Sequence, residues 1–210
     1  MQVDLFSGGY DRNSPYNGLP LLPPKAKIET EATLRATIAA GTALSDLKGA
    51  GRVIPNQSLL TRAIVLQEAK LSSEIENIVT TNDELYQALS SDTIESNPHT
   101  KEVINYGEAV WLGYAHLKKG GVLSTGLICE LCTTIKDAPM DIRALPGTKI
   151  TSKATGEIIY SPPEGVELIH SMLKNMGEFL YDDSTNVQPL IRMAVAHYQF
   201  EAIHPFRDGN

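Results

Sequence analysis

The stretch from Pro189 to Asn210 limits what this chain can become more than any other. Pro189 suits the first turn of a helix, where its missing N–H would be unpaired anyway. Apolar residues then recur on most sides to about Ile203, so we expect this helix at the centre of a core. Pro205 breaks it. Around the break stand His204, Phe206, Arg207, Asp208, Gly209 and Asn210. An imidazole such as His204 can take the proton of an attacking hydroxyl, a step that general bases assist by about 10²–10⁴-fold. Asp208 is a hard oxygen ligand suited to Mg²⁺. Gly209 lets the backbone approach an anion, so that successive N–H groups can form a phosphate nest. The set suits phosphoryl or nucleotidyl transfer. The same residues also read as a helix end followed by an ordinary Asp-Gly turn.

The rest of the chain reads as short helices and one hairpin. Residues 1–24 hold Gly8-Gly9, Pro15, Gly18, Pro20, Pro23 and Pro24 with little periodicity, and form an extended arm with Tyr10 and Tyr16 exposed. Leu34, Ile38, Leu44 and Leu47 mark a helix ending near Gly49 and Gly51. Asn56 caps a second helix reaching about Lys70. If Ser72-Ser73-Glu74-Ile75-Glu76-Asn77 is helical, Ser72 and Glu76 are i, i+4 neighbours, and Glu74 lies about 200° around from Glu76. The plain alternative is a surface helix start with a serine cap. Thr81 to Glu84 form a capping box for a helix through about Leu89. Ser91 to Pro98 is polar and marks the boundary between an N-terminal helical domain (25–97) and a core (98–210).

From Lys101, the stripe Val103, Tyr106, Val110, Tyr114 and Leu117 predicts a long helix stopped by Gly120-Gly121, with Trp111 in packing. Ser124 caps the next helix, which runs to about Lys136 and carries Cys129 and Cys132. With no further ligands at zinc spacing and no βαβ context, this C-x-x-C reads as two reduced, partly buried thiols. Thr148 to Thr151 and Glu157 to Tyr160, joined by a turn near Gly156 and closed by Pro162-Pro163, read as a hairpin. A short hairpin is marginal unless packed on something, which makes it a candidate flap. Val166, Ile169, Met172, Leu173, Met176, Phe179 and Leu180 give another amphipathic helix, with His170 at its surface and a polar loop from Asp182 to Asn186 behind it. His197, seven residues before His204 and on nearly its face, reads as a packed or hydrogen-bonded histidine.

The net charge of −7 argues against nucleic acid as the main partner. No apolar run reaches the roughly 18 residues that suggest a membrane helix. Met1-Gln2-Val3-Asp4 has neither a basic nor an apolar leader region, so we expect no signal peptide and a cytoplasmic location.

His-Pro-Phe-x-Asp-Gly-Asn at 204–210 resembles the signature of the Fic family, H-x-F-x-(D/E)-G-N-(G/K)-x-x-R, and residues 196–203 read like that family too. Ser72, Glu76 and Asn77 match its inhibitory motif, (S/T)-x-x-x-E-(G/N). Segments 22–24, 43–49, 54–60 and 100–106 are similar to other parts of the family, so the resemblance covers about residues 20–210. It implies an all-α Fic-fold helical bundle with one small β-hairpin flap. It implies transfer of AMP from Mg-ATP to a Ser, Thr or Tyr hydroxyl of a target protein, self-modification included, and leaves a homodimer open. His204 would be the base, Phe206 a buried anchor and Asp208 the Mg²⁺ ligand. Arg207, Gly209 and Asn210 would complete the nucleotide cradle. Ile158, Ile159 and Tyr160 would form the flap that holds the target by strand addition. Glu76 would inhibit by pairing with the signature's terminal Arg and tilting the γ-phosphate. Removal of AMP with Glu76 as base, or transfer of another nucleotide, are alternatives within the family. A non-catalytic interaction module is the alternative of another class. The 210 residues close inside the signature, before its second Gly, its Arg and the following helix. We therefore expect a piece of a longer enzyme, inactive by itself.

Overall fold

A computed structural model describes residues 10–90 and 97–210. The Gly8-Gly9 step and most of the expected Ser91–Pro98 boundary lie outside the described residues. Seven helices appear among the described residues: α1 Glu31–Gly51, α2 Gln57–Ile75, α3 Asn82–Ser90, α4 Pro98–Lys118, α5 Thr125–Lys136, α6 Val166–Tyr181 and α7 Pro189–Ile203. Two short strands, β1 Ile150–Thr151 and β2 Ile158–Tyr160, pair antiparallel. The fold is thus helical with one small hairpin, as the sequence predicts. No helix among the described residues is long and apolar enough to cross a membrane.

The helix starts follow their local chemistry. Asn56 accepts from Leu59 N–H, Asn97 from His99 N–H, and Ser124 from Leu127 N–H, each satisfying a donor that the first turn cannot pair. Thr81 and Glu84 form the reciprocal box: Glu84 Oε2 accepts from Thr81 N–H, and Thr81 Oγ1 accepts from Glu84 N–H.

The chain forms two compact units. One comprises Arg35–Asp141 with Gly209, and α4 is its central helix, packing on α2, α3 and α5. Its buried face is made of Thr100, Val103, Gly107, Ala109 and Gly113. This corrects the expected stripe, since Val110, Tyr114 and Leu117 are exposed. Small residues win the inside because they let neighbouring helices approach. A Cβ on Gly113 would stand 3.5 Å from Leu131, and one on Gly107 would stand 3.9 Å from Val65. Ala69, Leu85 and Val103 form the core cluster, flanked by Leu66, Ile78, Ile104 and Tyr106. Trp111 serves packing: Arg62 lies over its ring, and Tyr114 meets it edge-on. In α1 the stripe Leu34, Ile38, Leu44 and Leu47 stays exposed.

The other unit comprises the chain up to Leu34 together with Ile142–Asp208 and Asn210. Here α6 buries Ile169, Met172, Leu173, Met176 and Phe179, the stripe its periodicity predicts, and packs on α7. α7, expected at the centre of a core because it is apolar on most sides, buries one face. Ile191, Arg192, Ala196, Gln199 and Ile203 face inward, whereas Met193, His197 and Tyr198 are exposed. His197 is therefore a surface residue, not a packed one. Arg192, buried at the start of α7, closes the Asp182–Gln188 connection by donating to the carbonyls of Leu180 and Val187 and to Thr185 Oγ1. The arm is also tighter than expected. Asn175 bonds both backbone groups of Leu22, Gln199 donates to the Pro20 carbonyl, and Leu19 and Leu22 are buried. Tyr10 and Tyr16 are half-buried and pack on Tyr160 rather than standing exposed.

Candidate active site

The site is built on the C-terminal end of α7. The last carbonyls of a helix lack partners within it and must be satisfied from elsewhere when buried. His204 N–H closes on Phe200 O at 2.9 Å, and His204 itself turns left-handed, with φ 48° and ψ 63°. That region costs a non-glycine residue about 1–2 kcal/mol, though His visits it more readily than most. Pro205 disfavours a helical residue before it, so the helix stops here. Four successive carbonyls are then taken by donors remote in sequence. Tyr160 Oη donates to Ala202 O at 2.8 Å. Arg143 Nη2 donates to Ile203 O at 3.2 Å and Nε to His204 O at 2.7 Å, and the Arg143 backbone N–H donates to Pro205 O at 2.9 Å. Arg143 Nη2 also reaches Pro163 O, just beyond the hairpin.

Arg143 is 3% exposed. Burial draws its pKa down while Glu164 pulls the other way, and a guanidinium remains charged in such a setting. Charge-assisted bonds to neutral acceptors contribute about 1.5–3 kcal/mol each, enough to hold the left-handed turn. Burial likewise pushes the Tyr160 hydroxyl well above its ordinary pKa, so it stays protonated and donates.

Within the turn, Asn210 ties the loop back on itself. Its Oδ1 accepts from Phe206 N–H at 2.8 Å, and its Nδ2 donates to Phe206 O at 3.1 Å. A backbone N–H can only donate and a carbonyl only accept, so these two bonds fix which way the amide faces. The Nδ2 that also meets His204 Nε2 at 3.1 Å must therefore be the donor. His204 Nε2 is then an acceptor with its lone pair in place, and the ring proton sits on Nδ1. Pro205 and Phe206 are buried beneath the turn.

The remaining predicted residues fall in distinct settings. Arg207 and Asp208 are exposed on the turn. Gly209 has φ 75°, and a Cβ there would come within 3.0 Å of Lys136 Cε and 3.3 Å of Cys132 Sγ, so both backbone angle and space require glycine. No group of three or more His, Cys, Asp or Glu converges as a metal cage among the described residues. A Mg²⁺ fits here only in its usual style, on one carboxylate plus phosphate and water oxygens. Asp208 offers that carboxylate. In the hairpin, Ile159 is exposed, whereas Ile158 and Tyr160 are half-buried. Cys129 and Cys132 are reduced thiols, half-buried and buried respectively.

The Ser72–Asn77 motif is a helix end, not a helix start. Ser72 lies in the last turn of α2, Glu76 is its C-cap, and Asn77 is left-handed with φ 65°. Asn77 N–H bonds Glu74 O and Ile78 N–H bonds Ser73 O, both at 3.0 Å. That pair of bonds is a Schellman closure, which favours Gly or Asn at the left-handed position. The Gly-or-Asn place of the motif thus has a backbone reason. Ser72 Oγ donates backward to Glu68 at 3.0 Å and not to Glu76, whose side chain is exposed.

Sequence reasoning missed Arg143 and the second role of Tyr160. The available signal for Arg143 was slight: a lone cation among Met140, Ile142, Ala144 and Leu145 in a stretch without helical period.

Comparison with known proteins places these observations. The Fic/DOC family N-terminal model matches residues 34–115, and the Fic/DOC family model matches residues 123–210. The protein adenylyltransferase fic-1 of Caenorhabditis elegans is 41% identical over 49 residues. The aligned stretch is 23% of this chain and 10% of that protein.

Proposed function

The chain belongs to the Fic/DOC family, and on that premise we propose that the protein moves AMP from Mg-ATP onto a Ser, Thr or Tyr hydroxyl of a target protein. The observation that carries the reading is the placing of His204 at the end of α7, where its Nε2 meets the Asn210 amide nitrogen at 3.1 Å. A target hydroxyl replaces that amide at Nε2 and gives its proton to the ring. Its oxygen bonds to the α-phosphorus while the bond to the bridging oxygen breaks, and pyrophosphate leaves. His204 ends the step as an imidazolium, so a left-handed turn already held in place saves reorganisation at the moment of transfer.

Phe206 anchors the turn from below. The backbone around Gly209, the Arg207 guanidinium and the Asn210 amide are the donors offered to phosphate oxygens, in the manner of preorganised oxyanion stabilisation. Asp208 is the residue that would hold Mg²⁺, which would supply charge neutralisation on the phosphates. Ile158, Ile159 and Tyr160 present the hairpin edge to an extended target segment. Glu76 is the inhibitory carboxylate, acting on the signature's terminal Arg in a polypeptide that carries it. The name of the nematode relative points to the same chemistry.

The test uses a polypeptide that carries these residues with a complete signature, incubated with Mg²⁺ and ATP labelled at the α-phosphate. Label should pass to protein, and His204→Ala should lower transfer by about 10²–10⁴-fold while leaving nucleotide affinity within about twofold. Loss of affinity in step with turnover would make His204 a structural residue and defeat the proposal.

A further inference from the structure

We propose that Arg143 and Tyr160 are positioning residues that set the base in register with the hairpin. This rests on the nucleotidyl-transfer reading above. The geometry is a chain of bonds between two elements far apart in sequence. Tyr160, the last residue of β2, holds Ala202 O. Arg143, in the loop before β1, holds Ile203 O, His204 O and, through its backbone, Pro205 O. The same Nη2 holds Pro163 O, three residues past the end of β2. His204 lies among the four held carbonyls, so its backbone cannot shift along the helix axis without breaking several bonds together.

The two residues restrict different things. Arg143 fixes the left-handed peptide itself, because its fork joins consecutive carbonyls on either side of the turn and no other side chain offers that bidentate geometry. Tyr160 fixes the strand end against the helix end. Its ring is seated among Tyr10 and Tyr16, with centroids 5.9 Å and 6.5 Å away. A peptide paired along β2 would therefore be measured against the imidazole through one hydroxyl. A displacement of about 1 Å at a reacting group can cost on the order of 10²-fold in rate.

The experiment compares Arg143→Met, Arg143→Lys and Tyr160→Phe in the same polypeptide with a complete signature. Two activities are read, transfer to a protein target and slow hydrolysis of Mg-ATP to AMP, together with the ring nitrogens of His204 by long-range ¹H–¹⁵N correlation. Tyr160→Phe should lower kcat for the protein target about tenfold, the scale of one lost hydrogen bond, and lower hydrolysis by clearly less. Arg143→Met should lower both activities by about 10²-fold and broaden the unprotonated Nε2 signal, and Arg143→Lys should fall between. Equal losses of both activities in Tyr160→Phe, or no loss in either variant, would overturn the proposal. Should the unaltered protein show neither activity, the functional reading fails by itself, and the ring spectrum still decides for Arg143. A sharp, unaltered Nε2 signal in Arg143→Met would then refute the positioning role. Should Arg143→Met not fold, the outcomes stated for Arg143→Lys and Tyr160→Phe decide the matter in its place.

Discussion

Two helix ends in this molecule solve the same problem by different means. At the end of α2, Asn77 turns left-handed and the freed carbonyls of Ser73 and Glu74 are taken by the next two backbone N–H groups. At the end of α7, His204 turns left-handed and its neighbouring carbonyls are taken by Arg143 and Tyr160. The first closure is complete within a few residues of chain and leaves the Glu76 side chain exposed. The second recruits donors about 60 and 42 positions away in sequence. On the proposed function, a carboxylate that engages and releases a cation would be served by a self-contained cap. On the same reading, an imidazole that meets one hydroxyl in one place would be served by a cap that fixes it to other elements.

The largest effect that would break this contrast lies under the second closure. Phe206 is 1% exposed, and Phe→Ala in such a place costs about 3–5 kcal/mol. Phe206→Ala should lower the denaturation midpoint accordingly and disorder the turn. A loss below about 1 kcal/mol, seen in chemical unfolding, would mean that Arg143 and Asn210 hold the turn without it. Next comes Glu76→Gly in a polypeptide carrying the complete signature. Self-labelling from α-labelled ATP should rise by up to about 10²-fold, the scale of a misplaced phosphate brought back in line. Stability should stay within about 0.5 kcal/mol, as for most exposed positions. Unchanged or lower labelling across a range of ATP concentrations would remove Glu76 from inhibition. The smallest effect concerns Asn77. Asn77→Ala should cost about 1 kcal/mol through the left-handed backbone, and Asn77→Gly should cost nothing or stabilise slightly. Equal thermal midpoints for the two would show that the α2 cap is not closed by this turn.

The same contrast explains what could be read from the sequence. The seven helices and the hairpin were legible, although α2 runs to Ile75 and not to about Lys70, because such elements announce themselves through local period and caps: Asn56, Ser124 and the Thr81–Glu84 box all act as their positions suggest. The chemistry-bearing residues of the turn were legible as residue types. Burial faces were less so. The stripe on α4 holds only in its first half: Val103 is buried and Tyr106 flanks the core, whereas further along the helix Gly107, Ala109 and Gly113 face inward in place of Val110, Tyr114 and Leu117. The apolar surround of α7 likewise hid the fact that only one face is covered by α6. Arg143 was out of reach because its partners are backbone carbonyls, which every residue carries and no pattern marks. The tautomer of His204 was beyond sequence for the same reason, since it depends on how Asn210 faces Phe206.

The arm before α1 has a practical consequence for anyone excising this domain. The matched family regions begin at residue 34, which suggests an obvious place to cut. Such a cut would strip off the cover that Leu19 and Leu22 give their unit, unpair both polar groups of the Asn175 side chain, and take Tyr10 and Tyr16 away from the ring of Tyr160. The exposed remainder would present fresh apolar surface and a loosened strand end, the ingredients of a sticky, poorly soluble preparation. A fragment starting at Tyr10 keeps that cover, and the two preparations, compared by light scattering at equal concentration, should differ in aggregation well before either is assayed for chemistry.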